Sequence, residues 1–229
     1  MKISDNLKII LNNMNAIKEK NNITREITLI AVSKTYSAED VQQAIEAGQY
    51  HFGENRVQEG IEKIEAIADE KAKWHLIGHL QTNKASKAVR YYDYIHSIDS
   101  DNIAERVNHF AGIYDKKMQV FIQVNTTHEE NKSGCEPEAA EALASFIINK
   151  CPHLSLIGLM TIGPLEGNEQ QIRESFKKLS FLKKTLSDNF MGDYFQYISM
   201  GMSGDYQIAI EEGATHIRIG SAIFGRRDG

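Results

Sequence analysis

The sequence has little cysteine and little proline, with two cysteines and three prolines in 229 residues. Cys135 and Cys151 flank a predicted helix in no spacing typical of metal ligands, which favours reduced structural thiols and predicts no metal site. The chain also has no linker rich in Pro, Gly or Ser and no internal repeat. We therefore expect a single domain over residues 1–229.

An excess of positive charge and long hydrophobic runs are also absent. Lys and Arg number 26 against 31 Asp and Glu, a formal net charge of −5, which makes nucleic acid an unexpected partner. No run approaches the ~20 apolar residues of a membrane span, and the N-terminus has no apolar core of signal-peptide length. We expect a cytoplasmic protein that does not bind membranes.

Apolar runs alternate with helical periodicity along the whole chain. A helix predicted over residues 4–20 comes first, and eight strands are predicted over residues 27–32, 50–52, 74–78, 94–98, 118–124, 154–160, 197–198 and 216–219. Asn55 is placed to cap the helix after the second strand. The pattern predicts an α/β fold, a (β/α)8 TIM barrel with an extra N-terminal helix. An open doubly wound sheet is the alternative, disfavoured because no Gly-x-Gly-x-x-Gly follows the first strand.

A lysine follows the first predicted strand. The run 27–32 is typical of a strand buried on both faces, so Lys34 falls at its carboxyl end, where barrel active sites form. Such a lysine either extends its charge to the rim or acts as an amine nucleophile that forms a Schiff base with a carbonyl. The strand alone leaves both interpretations open.

The last two predicted strands end in glycine and serine. Gly201 and Gly204 let backbone approach a ligand closely, and Ser199, Ser203 and Ser221 offer hydroxyl groups. Phosphate often binds at these two strand ends of a barrel, so the loops predict a phosphate site. The alternative is that the glycines only make tight turns.

Arg218 lies between apolar residues of the eighth predicted strand. Its charge cannot be neutralised by loss of a proton, so it needs an acceptor or the barrel mouth. A structural ion pair would satisfy it. Together with Lys34 and a phosphate site, an arginine facing an aromatic nitrogen predicts pyridoxal 5′-phosphate as the cofactor.

The sequence closely resembles the pyridoxal phosphate homeostasis protein family, whose fold is similar to the barrel domain of alanine racemase. The resemblance covers essentially the whole chain and is carried by residues 31–34, 51–55, 74–78, 81–84, 199–203 and 218–225. It implies that Lys34 holds the cofactor as a covalent aldimine, that Asn55 lines the cofactor face and that Arg218 lies near the pyridine nitrogen. The remaining cofactor-binding residues that it implies, mostly around the phosphate, are Ser199, Met200, Gly201, Ser203, Gly220 and Ser221. Ser221 replaces a threonine common in the family and keeps the hydroxyl group.

The resemblance implies a protein of intracellular cofactor homeostasis, which buffers pyridoxal 5′-phosphate or carries it to client enzymes as a monomer or weak dimer. An arginine at the pyridine nitrogen disfavours protonation of that nitrogen, which fits binding better than catalysis. A racemase-like enzyme is the first alternative. It needs a second acid or base, for which Tyr36, His79 and Lys84 are candidates. A Schiff-base aldolase without cofactor is the second alternative.

Overall fold

Eight parallel strands form a closed barrel in the computed structural model, which describes residues 2–127, 129 and 133–225. Each strand pairs with its neighbours in chain order, and the first pairs with the last. The strands are β1 Thr28–Val32, β2 His51–Glu54, β3 Lys73–Leu76, β4 Tyr94–Ile98, β5 Met118–Gln123, β6 Leu154–Met160, β7 Tyr197–Ser199 and β8 His216–Ile219. The predicted TIM barrel is confirmed, and the open doubly wound sheet is wrong. The predicted domain over residues 1–229 extends beyond the described residues at both ends.

Helices follow the strands and surround the barrel. They are α1 Ile3–Lys20, α2 Ala38–Glu46, α3 Val57–Ile67, α4 Ala85–Tyr91, α5 Asp101–Ile113, α6 Ala140–Lys150, α7 Glu169–Asn189, α8 Tyr206–Glu211 and α9 Ser221–Phe224. Short 3-10 turns, Thr82–Lys84 and Pro137–Ala139, precede α4 and α6. Within the described ranges, no helix combines the length and the apolar character needed to cross a bilayer.

The register between β1 and its two neighbours brings the predicted site residues together. Ile30 of β1 lies opposite Arg218 of β8, and Val32 lies opposite Gly53 of β2. Lys34 follows β1 by two residues, so it emerges between the ends of β2 and β8. Parallel strands place all these carboxyl ends at one rim of the barrel.

The extra N-terminal helix α1 covers the outside of the barrel. Its apolar face, with Leu7, Ile10 and Met14, is buried, as its periodicity predicts. The Asn6 side-chain amide donates to the Ile223 carbonyl at 2.7 Å, which ties α1 to α9. The predicted helix is confirmed and begins one residue earlier than expected.

The predicted cap at Asn55 is wrong. Arg56 occupies the N-cap position of α3, and its side chain makes no capping hydrogen bond. The Glu54 carbonyl just before Asn55 accepts from the Ile77 N–H at 2.9 Å, and a Cβ at Gly78 would lie 2.2 Å from the Asn55 carbonyl oxygen, so the backbone after β3 packs directly against that of Asn55. The helix starts one residue later than predicted, and Asn55 lies at the barrel mouth.

Candidate functional site

A cavity of about 280 Å³ opens at the carboxyl ends of β1, β2, β7 and β8. Of the described residues, it is lined by Val32, Lys34, Asn55, Ile77, Ile162, Met202, Ser203, Gly204, Arg218, Gly220 and Ser221. Six of the predicted cofactor-binding residues are in this set: Lys34, Asn55, Ser203, Arg218, Gly220 and Ser221. The described lining has two cationic side chains and no acidic one. This cavity suits a small anionic ligand with an apolar body.

The backbone just before Lys34 is held by a buried ion pair that the sequence analysis missed. The Lys63 ammonium donates to the Ser33 carbonyl at 2.6 Å and to Glu54 Oε1 at 2.7 Å. The Ser33 hydroxyl donates to the same Glu54 oxygen at 2.7 Å. Ser33, Glu54 and Lys63 are all buried, so these bonds fix the end of β1 rigidly.

Two opposing effects act on the pKa of the Glu54 carboxyl group. Burial raises its pKa above the ordinary value, while the hydrogen bond and charge of Lys63 oppose the rise. The sequence contained a signal for one partner of Lys63, because Glu59 lies four residues before it on α3. The two side chains are 3.0 Å apart. The contribution of Glu54, which comes from a different element, could not be deduced from that spacing.

Three predicted residues, Ser199, Met200 and Gly201, lie beneath the cavity rather than among its lining residues. Ser199 and Met200 are fully buried. Gly201 has φ +92°, and a Cβ there would lie 2.5 Å from Cβ of Ala209, so the turn into α8 requires glycine. Nothing in this geometry tests their predicted contact with a cofactor, which stays a prediction.

Arg218 enters the cavity from below, and its guanidinium is held by neutral oxygens. Nη1 donates to the Ser199 hydroxyl at 2.8 Å, and Nη2 donates to the Thr161 carbonyl at 2.8 Å. These bonds use two of its five N–H donors. Burial lowers the pKa of Arg218 to about 10, which the charge of Asp205 opposes. The arginine therefore stays charged at neutral pH and faces the cavity.

A row of hydrogen-bonded histidines crosses the barrel interior below Arg218. His51 Nδ1 lies 2.9 Å from His75 Nε2, His75 Nδ1 lies 2.9 Å from His96 Nε2, and His96 Nδ1 lies 3.0 Å from Ser199 Oγ. We call His51, His75, His96 and Ser199 the histidine column. Because His96 on β4 reaches Ser199 on β7, the column runs through the centre of the barrel.

The histidines of the column are neutral at neutral pH. Burial lowers the pKa of His75 and of His96 well below the ordinary value, and nearby charges lower both further. Burial likewise lowers the pKa of half-buried His51. Neighbouring His216, whose Nδ1 lies 2.9 Å from the Thr215 hydroxyl, has a pKa of about 3, lowered mainly by burial.

A second cavity of about 250 Å³ adjoins the first and shares Asn55, Ile77 and Ile162 with it. Its polar lining includes His79 and Asn125. His79 is exposed, with Nδ1 3.8 Å from an Asp99 carboxylate oxygen. The two cavities together leave room for a second small molecule beside a ligand held at Lys34.

Tyr36 and Lys84, the other candidates from the sequence, are not among the described residues that line these two cavities. The Tyr36 hydroxyl donates to the Gly225 carbonyl at 2.7 Å, and its ring stacks on Phe224. Lys84 lies at the end of a 3-10 turn after β3. No group of three or more metal-ligating side chains occurs in the part of the chain that the structure describes.

The chain is similar to known proteins over almost its whole length. A family model described as Alanine racemase, N-terminal domain, matches residues 6–228. A "Pyridoxal phosphate homeostasis protein" from Vibrio alginolyticus is 42% identical over 232 residues, which cover 99% of this chain and 98% of that protein.

Solved structures agree with this family. PipY from Synechococcus elongatus PCC7942, solved with PLP bound, is 34% identical with a TM-score of 0.86, over 97% of this chain and 100% of that chain. Alanine racemase from Clostridium difficile 630 superposes with a TM-score of 0.78 at 17% identity, over 98% of this chain and 58% of that chain. The second likeness shows the fold alone.

Proposed function

Because the chain belongs to the family of pyridoxal phosphate homeostasis proteins, we propose that it binds pyridoxal 5′-phosphate and holds it covalently on Lys34. It acts in intracellular homeostasis of this cofactor, as a buffer or carrier, rather than in catalysis. The observation that carries the proposal is the meeting of Lys34, Arg218 and the Ser203 and Ser221 loops at one cavity.

The cavity fits the cofactor in charge and in donor chemistry. The cofactor phosphate is an anion, and the described lining offers cationic and hydroxyl groups without a carboxylate. We propose that Ser203, Gly204, Gly220 and Ser221 hold the phosphate. A Cβ at Gly204 would meet no atom within 4 Å, so this backbone is open to a ligand.

Lys34 supplies the amine. When bound, pyridoxal 5′-phosphate supplies an aldehyde that bonds to amines and a ring that withdraws electrons. The Ser33–Glu54–Lys63 cluster fixes the backbone before Lys34, so the amine reaches the cavity from a rigid strand end. Rigid support of this kind lowers the entropic cost of attachment.

Arg218 favours binding over catalysis in this proposal. Its guanidinium stays charged, and a cation near the ring nitrogen opposes protonation of that nitrogen. An unprotonated ring withdraws electrons less strongly, so the site stabilises a carbanion poorly. The hydrogen bonds to Ser199 and Thr161 keep the guanidinium in place without a contribution from a ligand.

The test is covalent trapping. We expect the protein incubated with pyridoxal 5′-phosphate to absorb visible light, and borohydride reduction to fix an adduct whose peptide contains Lys34. Lys34→Ala should abolish the adduct while the far-UV circular dichroism stays unchanged, because Lys34 is half-buried at the rim and its loss opens no sealed cavity. Lys84→Ala, at another strand end of the same rim, is the matched control and should retain the adduct. An adduct retained at an unchanged level in Lys34→Ala would contradict the proposal.

Turnover assays separate the carrier from an enzyme. The cofactor-loaded protein is incubated with single L-amino acids, and chiral chromatography measures D-isomers. We expect none above the level given by free pyridoxal 5′-phosphate, together with transfer of the cofactor to an apo-enzyme that requires it. Sustained formation of D-isomers that is lost in Lys34→Ala would favour the racemase-like alternative. Client enzymes, a monomeric or weakly dimeric state and a cytoplasmic location remain predictions.

A further inference from the structure

The histidine column ends on Arg218, and each hydrogen bond between its own members joins neutral groups. The N···N and N···O distances are 2.9, 2.9 and 3.0 Å, and Arg218 Nη1 lies 2.8 Å from the Ser199 oxygen. Only half-buried His51 approaches solvent, while His75, His96 and Ser199 are buried. The column therefore joins the amino-terminal rim of the barrel, where β2 begins, to the cavity at the opposite rim.

A neutral imidazole carries one N–H donor and one bare nitrogen acceptor. In a row of such rings, the nitrogen that carries the hydrogen in one ring determines which nitrogen carries it in the next. Two donors or two acceptors cannot face each other. Stacking against aromatic rings opposes flipping of the imidazoles. The ring centroids of Tyr94 and His75 are 4.2 Å apart, and those of Phe121 and His96 are 4.1 Å apart. Buried polar rows of this kind are either fully satisfied or costly.

Arg218 determines the donor-to-acceptor direction of the hydrogen bonds in the column. A guanidinium only donates, so the Ser199 oxygen accepts from Nη1. The single Ser199 proton then has the bare Nδ1 of His96 as its acceptor at 3.0 Å. In the opposite order His96 would also donate to Ser199. Neither His96 nor Arg218 could then accept the Ser199 hydroxyl proton.

This order assigns every proton in the row. Ser199 donates to His96 Nδ1, His96 Nε2–H donates to His75 Nδ1, and His75 Nε2–H donates to His51 Nδ1. Both buried rings are then protonated at Nε2. The ordered row keeps a lone pair of Ser199 directed at Arg218.

We infer that the histidine column is a tautomer-ordered unit that positions the Arg218 guanidinium at the cavity, with His75 and His96 as positioning residues. The consequence for cofactor binding rests on the proposed function. The order of the column itself does not, so the two are tested separately.

Long-range ¹H–¹⁵N correlation spectra of protein labelled with ¹⁵N-histidine and ¹⁵N-arginine, recorded without cofactor, test the order. We expect His75 and His96 to be protonated at Nε2, and Arg218 to show resolved Nη–H signals because its rotation is restricted. In Ser199→Ala, His96 and also His75, one link farther away, should lose the single Nε2–H form, and the Arg218 Nη signals should merge.

Thr215→Val is the matched control. It removes a hydroxyl that lies 2.9 Å from Nδ1 of His216, a buried histidine outside the column. We expect it to change His216 and to leave the tautomers of His75 and His96 as in the wild type. Nδ1 protonation of His96 in the wild type, or a Ser199→Ala variant in which His75 and Arg218 do not change, would overturn the inference.

Cofactor binding gives the second readout. We expect His75→Leu, which does not touch the cavity, to weaken binding of pyridoxal 5′-phosphate about tenfold, the size of one lost hydrogen bond. His75→Gln, whose amide supplies both a donor and an acceptor, should recover most of it. Equal weakening in both variants would refute the positioning role. If the wild type orders the column but binds no cofactor, only the proposed function fails.

Discussion

Mild acid should destabilise this protein strongly because three imidazoles are buried in the neutral form. The pKa values of His75 and His96 lie well below the ordinary value, and that of His216 is about 3. In the unfolded chain each takes up a proton near pH 6.5. Below that pH the unfolded state binds more protons than the folded state, so the free energy of unfolding falls as the pH falls.

The size of the stability loss follows from the linkage between proton binding and unfolding. Between pH 7.5 and 5.5, one histidine with an unfolded pKa of about 6.5 and a much lower folded value loses about 1.4 kcal/mol of stability. The three fully or nearly fully buried rings together give a loss of about 4 kcal/mol. Half-buried His51 is left out of this sum. Glu54 acts in the opposite direction, because its raised pKa makes the folded state bind a proton first.

Urea unfolding followed by circular dichroism at both pH values measures the loss. The most specific comparison is between the wild type and His75→Leu, because the contribution of Glu54 to the pH dependence is common to both and cancels. His75→Leu should be less stable than the wild type at pH 7.5, yet lose about 1.4 kcal/mol less on going to pH 5.5. His79→Leu, which replaces an exposed histidine outside the column, is the control for the His-to-Leu change itself. An identical pH difference in His75→Leu and the wild type would refute the assignment of a buried neutral ring.

Two further substitutions test the packing that supports the site. Gly60→Ala should lower stability by about 1 to 3 kcal/mol in urea unfolding, because its Cβ would lie 1.8 Å from the Tyr92 hydroxyl oxygen; a smaller cost of Gly60→Ala in a Tyr92→Phe background than in the wild type would confirm this cause. Lys63→Met should cost about 3 to 5 kcal/mol by leaving the Glu54 charge buried without its cation, and adding Glu54→Gln should recover part of it. Additive effects of those two substitutions would contradict the pairing.

The sequence predicted the barrel because its signal is local and repeated. Each apolar run is short enough for a strand and is followed by a helical period, and the structure confirms all eight strands. Lys34 and Arg218 stood out for a related reason, since a permanent charge at or within a buried strand needs an explanation. Their presence at one cavity follows from the register of β1 and β8.

The histidine column could not be read from the sequence in the same way. His51, His75 and His96 are more than twenty residues apart, and they meet because neighbouring strands turn the same face inward. The last link, from His96 to Ser199, crosses the barrel between strands that do not pair, so only closure of the sheet creates it. A partial signal existed in β8, where His216 and Arg218 alternate with isoleucines, as expected for a polar barrel interior.

The arrangement of charges around the cavity explains how one small rim can hold an anion. Glu54, the buried carboxylate nearest to the end of β1, is matched by Lys63 below the cavity. Arg218 is held by a hydroxyl and a carbonyl, so its charge is not cancelled by a direct carboxylate contact in either bond. The column beneath it is neutral and therefore adds no competing charge. Positive potential is thus left at the cavity surface, where an anionic phosphate would bind.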